Sequence, residues 1–113
     1  MFEIKFYEDE KGRCEVDEFL NALQLKLRAK ALKWMEKLKQ EGPNLPRPFA
    51  DIVNGKIREL RVRFGSDSCR FLYFFYEKVI IITHGFMKKT EKVPDNEILH
   101  AERIMKEFVD RNN

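Results

Sequence analysis

The stretch Ile57-Arg58-Glu59-Leu60-Arg61-Val62-Arg63-Phe64, with Phe71-Leu72-Tyr73-Phe74-Phe75-Tyr76 and Val79-Ile80-Ile81-Ile82 after it, decides the fold. In the first segment Leu60, Val62 and Phe64 alternate with Glu59, Arg61 and Arg63, the period of a strand with one buried face. Gly65-Ser66-Asp67 and Glu77-Lys78 are turns between strands. The second and third segments are apolar on both faces, as a central strand is. Three consecutive strands are therefore expected, joined by tight turns.

Working outward, Phe2, Ile4 and Phe6 alternate with Glu3, Lys5 and Tyr7, which predicts a further strand. Val16, Phe19, Leu20, Leu23 and Leu27, then Ala31, Trp34, Met35 and Leu38, recur at helical spacing up to Gln40. A break at Asn21 to Leu25 divides this region into two helices, because a pair buries more of the sheet than one. Gly42-Pro43 ends it, since glycine suits the left-handed cap and proline cannot continue the turn. The segment Gly42 to Gly55 holds Pro43, Pro46 and Pro48 and reads as a long loop. Pro94-Asp95 opens a last helix with the stripe Ile98, Ala101, Ile104, Met105 and Phe108, Asp95 being the expected N-cap. The order is β-α-α-β-β-β-α: one α+β domain over residues 1–113, with a four-stranded, mainly antiparallel sheet. Helices are expected on one face, leaving the other for function.

The 113 residues suit one core. Hydrophobic residues make up 43% and aromatics 12%, with ten Phe, enough to fill a layer between helices and sheet. The net charge is only +3, but Lys56 to Lys92 holds nine bases against four acids. That segment is +5 and the remainder −2, which implies a polyanionic partner for one face. Cys14 and Cys69 lie far apart and neither Cys nor His falls at ligand spacing, so no metal site and no cofactor is expected. The start Met1-Phe2-Glu3-Ile4-Lys5 lacks the basic-then-apolar pattern of a signal peptide, and the longest apolar runs are far short of a membrane span. The expectation is a cytoplasmic protein with no membrane partner.

Within the basic segment, neighbouring strands would bring Arg61, Arg70 and the pair Lys88-Lys89 into one patch. Arg70 heads an apolar strand, a costly place for a cation unless it is paired or turned to solvent. Guanidinium forks match phosphate oxygens two at a time and lysines add point charge. Such a cluster suits a phosphodiester whose transition state gains negative charge. His84 is of a type that titrates in the range useful for acid or base work. Lys56, Arg58, Arg63, Tyr73 and Phe86 complete the expected RNA-contacting set. The charges from Lys26 to Lys39 read as the wet face of a helix.

The runs Gly55-Lys56-Ile57-Arg58-Glu59-Leu60-Arg61, Cys69-Arg70-Phe71-Leu72-Tyr73-Phe74 and His84-Gly85-Phe86-Met87-Lys88-Lys89-Thr90 resemble the RelE superfamily of bacterial toxins. Within it the chain is most similar to the HigB-like branch first catalogued as phage-derived proteins. The resemblance implies a toxin of a type II toxin–antitoxin system, an endoribonuclease that enters the ribosomal A site and cuts mRNA there without metal. The nucleophile would be the RNA's own 2′-hydroxyl, so the protein need only position it, move protons and neutralise charge. By the resemblance Arg61 and Arg70 hold the scissile phosphate, Lys88 or Lys89 is base or electrostatic stabiliser, and His84 is acid or base. The implied partners are the ribosome, mRNA and a helix-turn-helix antitoxin. The chain departs from the family in placing Tyr73 three residues after Arg70, on the opposite face of an unbulged strand. Its tail, Arg111-Asn112-Asn113, has none of the titratable tyrosines or histidines that some relatives carry there. Two alternatives stay open on the same fold: a ParE-like, non-enzymatic gyrase inhibitor, and an inactive remnant that only binds an antitoxin.

Overall fold

The computed structural model describes residues 1–113. Its elements are β1 (Glu3–Phe6), α1 (Glu15–Ala22), α2 (Leu25–Glu41), a 3-10 turn at Gly42–Asn44, β2 (Ala50–Asn54), β3 (Ile57–Phe64), β4 (Asp67–Tyr76), β5 (Val79–Met87) and α3 (Asp95–Asn112). The sheet has five strands in the order β1-β5-β4-β3-β2. β1 runs parallel to β5, and the other neighbours are antiparallel. The sheet is thus mixed and one strand larger than the sequence predicts. The extra strand, β2, lies at the end of the proline-rich segment read as a loop. Pro48 precedes it and leaves its amides free, so it can pair with β3 as an edge strand.

The two-helix reading of the region before Gly42 holds, with the chain leaving the helix between Ala22 and Leu25. The expectation of helices on one face does not. α1 and α2 cover one face, where Val16, Leu20, Leu27, Ala31, Met35 and Leu38 meet Leu60, Val62, Phe71, Tyr73, Ile80 and Ile82. α3 covers the other, where Ala101, Ile104 and Phe108 meet Ile57, Leu72, Phe74 and Ile81. The physical reason is in β4 and β5 themselves: strands apolar on both faces need a layer on each side. Asp95 is also not the N-cap; it begins the helix after Pro94 and, with Glu97, places negative charge in the first turn, where the helix dipole favours it.

One contact fixes how close α1 can come. A β-carbon on Gly85 in β5 would lie 2.6 Å from Phe19 and 2.8 Å from Phe71, so only glycine admits the Phe19 ring from α1. Cys69 is buried in this layer and both cysteines are free thiols. No helix is long and apolar enough to cross a membrane.

Candidate phosphate-binding site

Register determines what shares the open part of the sheet. In an antiparallel ladder, residues directly opposite project to the same face. Arg61 stands opposite Arg70, Arg63 opposite Ser68 and Glu59 opposite Leu72. On the far side of β4, Arg70 stands opposite Phe86 and Leu72 opposite His84. Glu59, Arg61, Arg63, Ser68, Arg70, His84 and Phe86 therefore share the face that α3 covers. α3 reaches only as far as the His84 row, where Glu97 bonds to His84, and its other end lies over Phe74 and Tyr76. The next row, Arg61–Arg70–Phe86, lies beyond its first turn. The open surface is one end of a sheet face, not a whole face.

Two arginines facing each other repel unless an anion stands between them, and Glu59 supplies it. Its Oε1 lies 2.9 Å from Nε of Arg70, and its Oε2 accepts a hydrogen bond from Arg61 at 3.1 Å. Asp51 of β2 takes a second contact from Arg61 at 3.4 Å and one from Arg47 at 2.9 Å. Arg70 also donates to Ser68 Oγ at 2.8 Å and to the Cys69 carbonyl at 3.2 Å. The approach of Arg70 Nε to Glu59 is close in distance but off the hydrogen-bond direction. Nε of Arg70, Oε1 of Glu59 and Nε of Arg61 thus remain buried without hydrogen-bond partners. Arg70 itself is only 7% exposed. Its burial, and then the neighbouring Arg61 charge, lower its pKa from the ordinary guanidinium value, while Glu59 opposes the shift.

Lys88 joins the strip because its backbone N–H donates to the Ser68 carbonyl at 2.9 Å, tying the end of β5 to the start of β4. Burial and then the charges of Arg70 and Arg61 push its ammonium pKa below the ordinary lysine value, against the opposing pull of Glu59. Lys89 is exposed, and both lysines line a hollow with Phe86, Thr90 and Glu97 on the far side of the strip from the β2 edge.

Four other expected residues fall elsewhere. Tyr73 is 1% exposed in the α1–α2 core, where burial raises its phenol pKa to about 12. Arg58 projects to that same face and stacks over Phe75 at 5.5 Å. Lys56 lies in the β2–β3 turn at the other end of β3, five residues from Arg61, or roughly 16 Å of strand. His84 is 3% exposed: its Nε2 lies 3.0 Å from Glu97 Oε1 and its Nδ1 3.0 Å from Thr83 Oγ1. Burial first, and then the neighbouring His100, push its pKa down to about 4. Its bonds join β5 to α3 and do not reach the arginine strip.

The strip continues into a cleft of about 350 Å³ at the β2 edge, walled by Arg61, Arg63, Ser68 and Arg70 on one side and by Lys30, Trp34, Pro48 and Phe49 on the other. The Glu59-x-Arg61 spacing, which puts acid and base on one strand face, makes Glu59 a readable ion-pair partner for the arginines, and the structure shows that pairing. Asp51 as a further anion, and Lys30, Trp34 and Phe49 as a second wall, were not legible in the sequence.

A family model described as "Phage derived protein Gp49-like (DUF891)" matches residues 18–106. Among solved structures, the archaeal RelE–RelB complex from Pyrococcus horikoshii OT3 contains a chain similar to this one. The alignment covers 76% of this chain and 93% of that one, at 18% sequence identity and a TM-score of 0.47. No curated protein matches.

Proposed function

The chain belongs to the Gp49-like family of phage-derived proteins, and on that premise we propose that it is the toxin of a type II toxin–antitoxin pair, acting as a ribosome-dependent mRNA endonuclease. One observation carries this reading. Arg61 and Arg70 are register partners on an open strip, bridged by the Glu59 carboxylate, and Lys88 lies beside them. That arrangement fits a phosphodiester held by two guanidinium forks.

In the proposed reaction the 2′-oxygen attacks the adjacent phosphorus to form a 2′,3′-cyclic phosphate, and the bond to the 5′-oxygen of the next nucleotide breaks, that oxygen leaving as a hydroxyl with a proton from water. Negative charge on the non-bridging oxygens grows toward the transition state. Arg61 and Arg70 meet that charge in a partly desolvated setting, where fixed donors are worth more than in water. Lys88, its pKa lowered by burial and by the arginines, takes the 2′-hydroxyl proton or stabilises the developing charge; Lys89 adds field at the rim. Glu59 keeps the arginines apart and oriented until the phosphate displaces part of its claim on them. A helix-turn-helix antitoxin would hold the toxin silent, and translating ribosomes in the cytoplasm would present the message.

The test is inducible expression in a bacterium with mapping of mRNA 5′ ends. Cuts within translated codons are expected, and Arg61→Ala and Arg70→Lys should abolish them while the circular dichroism spectrum keeps its shape. Growth arrest with intact mRNA and damaged DNA would overturn the reading in favour of gyrase inhibition. Absence of any toxicity would leave an antitoxin-binding remnant.

A further inference from the structure

We propose that the cleft beside the arginine strip is a nucleotide subsite, which seats one base of single-stranded RNA against Trp34 and Phe49 while the neighbouring phosphate lies on Arg61 and Arg70. The inference rests on the phosphate reading above and adds to it the position of a base.

The cleft has two walls of different chemistry. One is cationic, from Arg61, Arg63 and Arg70. The other is aromatic: Trp34 of α2 and Phe49 ahead of β2 meet at 4.8 Å between ring centroids, tilted by 46°. Phe49 is held there by its own backbone, since its carbonyl accepts the Arg61 N–H at 2.8 Å. The same residue that faces the phosphate site thus fixes the aromatic wall beside it. No acidic side chain lines the cleft.

An inorganic anion or an acidic peptide would use only the cationic wall. A nucleotide uses both, presenting a flat apolar base and a phosphate a few ångströms apart. The volume, about 350 Å³, is at the small end of ligand pockets and suits one base rather than a duplex. Lys30 lies at the rim with its Nζ 6.0 Å from the ring of Phe64, a side chain 42% exposed at the end of β3. This extends the cation-and-aromatic pattern one step beyond the cleft, toward the next nucleotide.

Trp34 is the only tryptophan in the chain, so the wall carries its own reporter. The experiment is a titration of the purified protein at low salt with a 2′-O-methyl oligoribonucleotide, which cannot be cut, against a titration with polyphosphate. Stacking should quench Trp34 emission with the oligonucleotide and not with polyphosphate. Phe49→Leu, which keeps the reporter, and Trp34→Leu, followed by fluorescence anisotropy of a labelled oligonucleotide, should each weaken binding roughly tenfold with polyphosphate affinity unchanged. RNA that binds without changing Trp34 emission, with both variants binding as tightly as the parent, overturns the subsite and leaves the phosphate reading standing. RNA binding that Arg61→Ala does not weaken overturns the phosphate reading and the subsite with it.

Discussion

Glu59 is asked to serve two arginines at once. Its side chain is 8% exposed beside an Arg70 side chain that is 9% exposed, so neither charge can fall back on water. Removing one member of a buried pair leaves the other uncompensated, at a cost of about 3–5 kcal/mol. Glu59→Gln should therefore lower the unfolding temperature, and added phosphate should restore more stability to the variant than to the parent, because it fills the place of the lost carboxylate. Thermal unfolding with and without phosphate checks both; equal phosphate effects in the two proteins would exclude an anion site between the arginines. His84 gives a second prediction. Its neighbours are Glu97 and His100 from α3, Glu15 from α1 through His100, and Thr83 on its own strand. A histidine pKa moved from 6.5 to about 4 on folding means that the unfolded chain binds the proton more readily. The stability this contributes is complete above pH 6.5 and is lost as pH falls toward 4. Glu97, whose pKa is raised chiefly by burial, contributes with the opposite sign, its stability lost as pH rises. In a Glu97→Gln background, urea unfolding should show stability climbing with pH across this window, and His84→Gln should flatten the climb. No change in slope on that second substitution would mean that His84 is not held neutral.

Elements show why some of this was legible and some was not. β3 was read with its true ends because alternation and turn residues agree at Ile57 and Phe64. β2 was hidden because prolines in the preceding segment argue against a strand, although an edge strand needs only half its amides. The placement of α3 was readable in principle: Phe71 to Tyr76 was recognised as apolar on both faces, and such a strand requires a layer on each side. Arg70 stood out because it is a cation at the head of an apolar strand, and Arg61 through its place in the Glu59-Leu60-Arg61 run on the neighbouring strand. Lys30 and Trp34 could not, since lysines and a half-buried aromatic on a helix are what any amphipathic helix shows. Only the fold of β2 and Phe49 back along β3 makes them a wall. Gly85 was quoted as part of a motif, and the structure gives its reason in the approach of α1. Gly85→Val should push Phe19 from Phe71 and destabilise the chain by about 1–3 kcal/mol through overpacking. Phe19→Ala in the same chain should recover part of the loss, because the ring is the obstacle. A double variant less stable than the sum of the two single changes would show that the clash lies elsewhere.

At the scale of the whole molecule, charge and topology act together. The hairpin of β3 and β4 delivers Arg61, Arg63 and Arg70, the end of β5 delivers Lys88, and α2 brings Lys30 to the same end of the sheet. The remainder of the chain carries net −2, so the excess is a local field and not a general stickiness. Glu59 and Asp51 neutralise part of it, so on the proposed reading the site would engage fewer phosphates than it has cations. For single strands, each neutralised phosphate adds about −0.7 to the slope of log affinity against log salt. With Glu59 and Asp51 offsetting two of the five positive charges of this cluster, a slope of about −2 is expected for the uncut oligonucleotide. Arg63→Ser should make that slope shallower by roughly one phosphate, while Arg58→Ser, on the opposite face over Phe75, should leave it unchanged. Affinities measured across a salt series decide the matter. If Arg58→Ser flattens the slope as much as Arg63→Ser does, RNA binds over the general surface of the molecule and the end of the sheet has no special part in it.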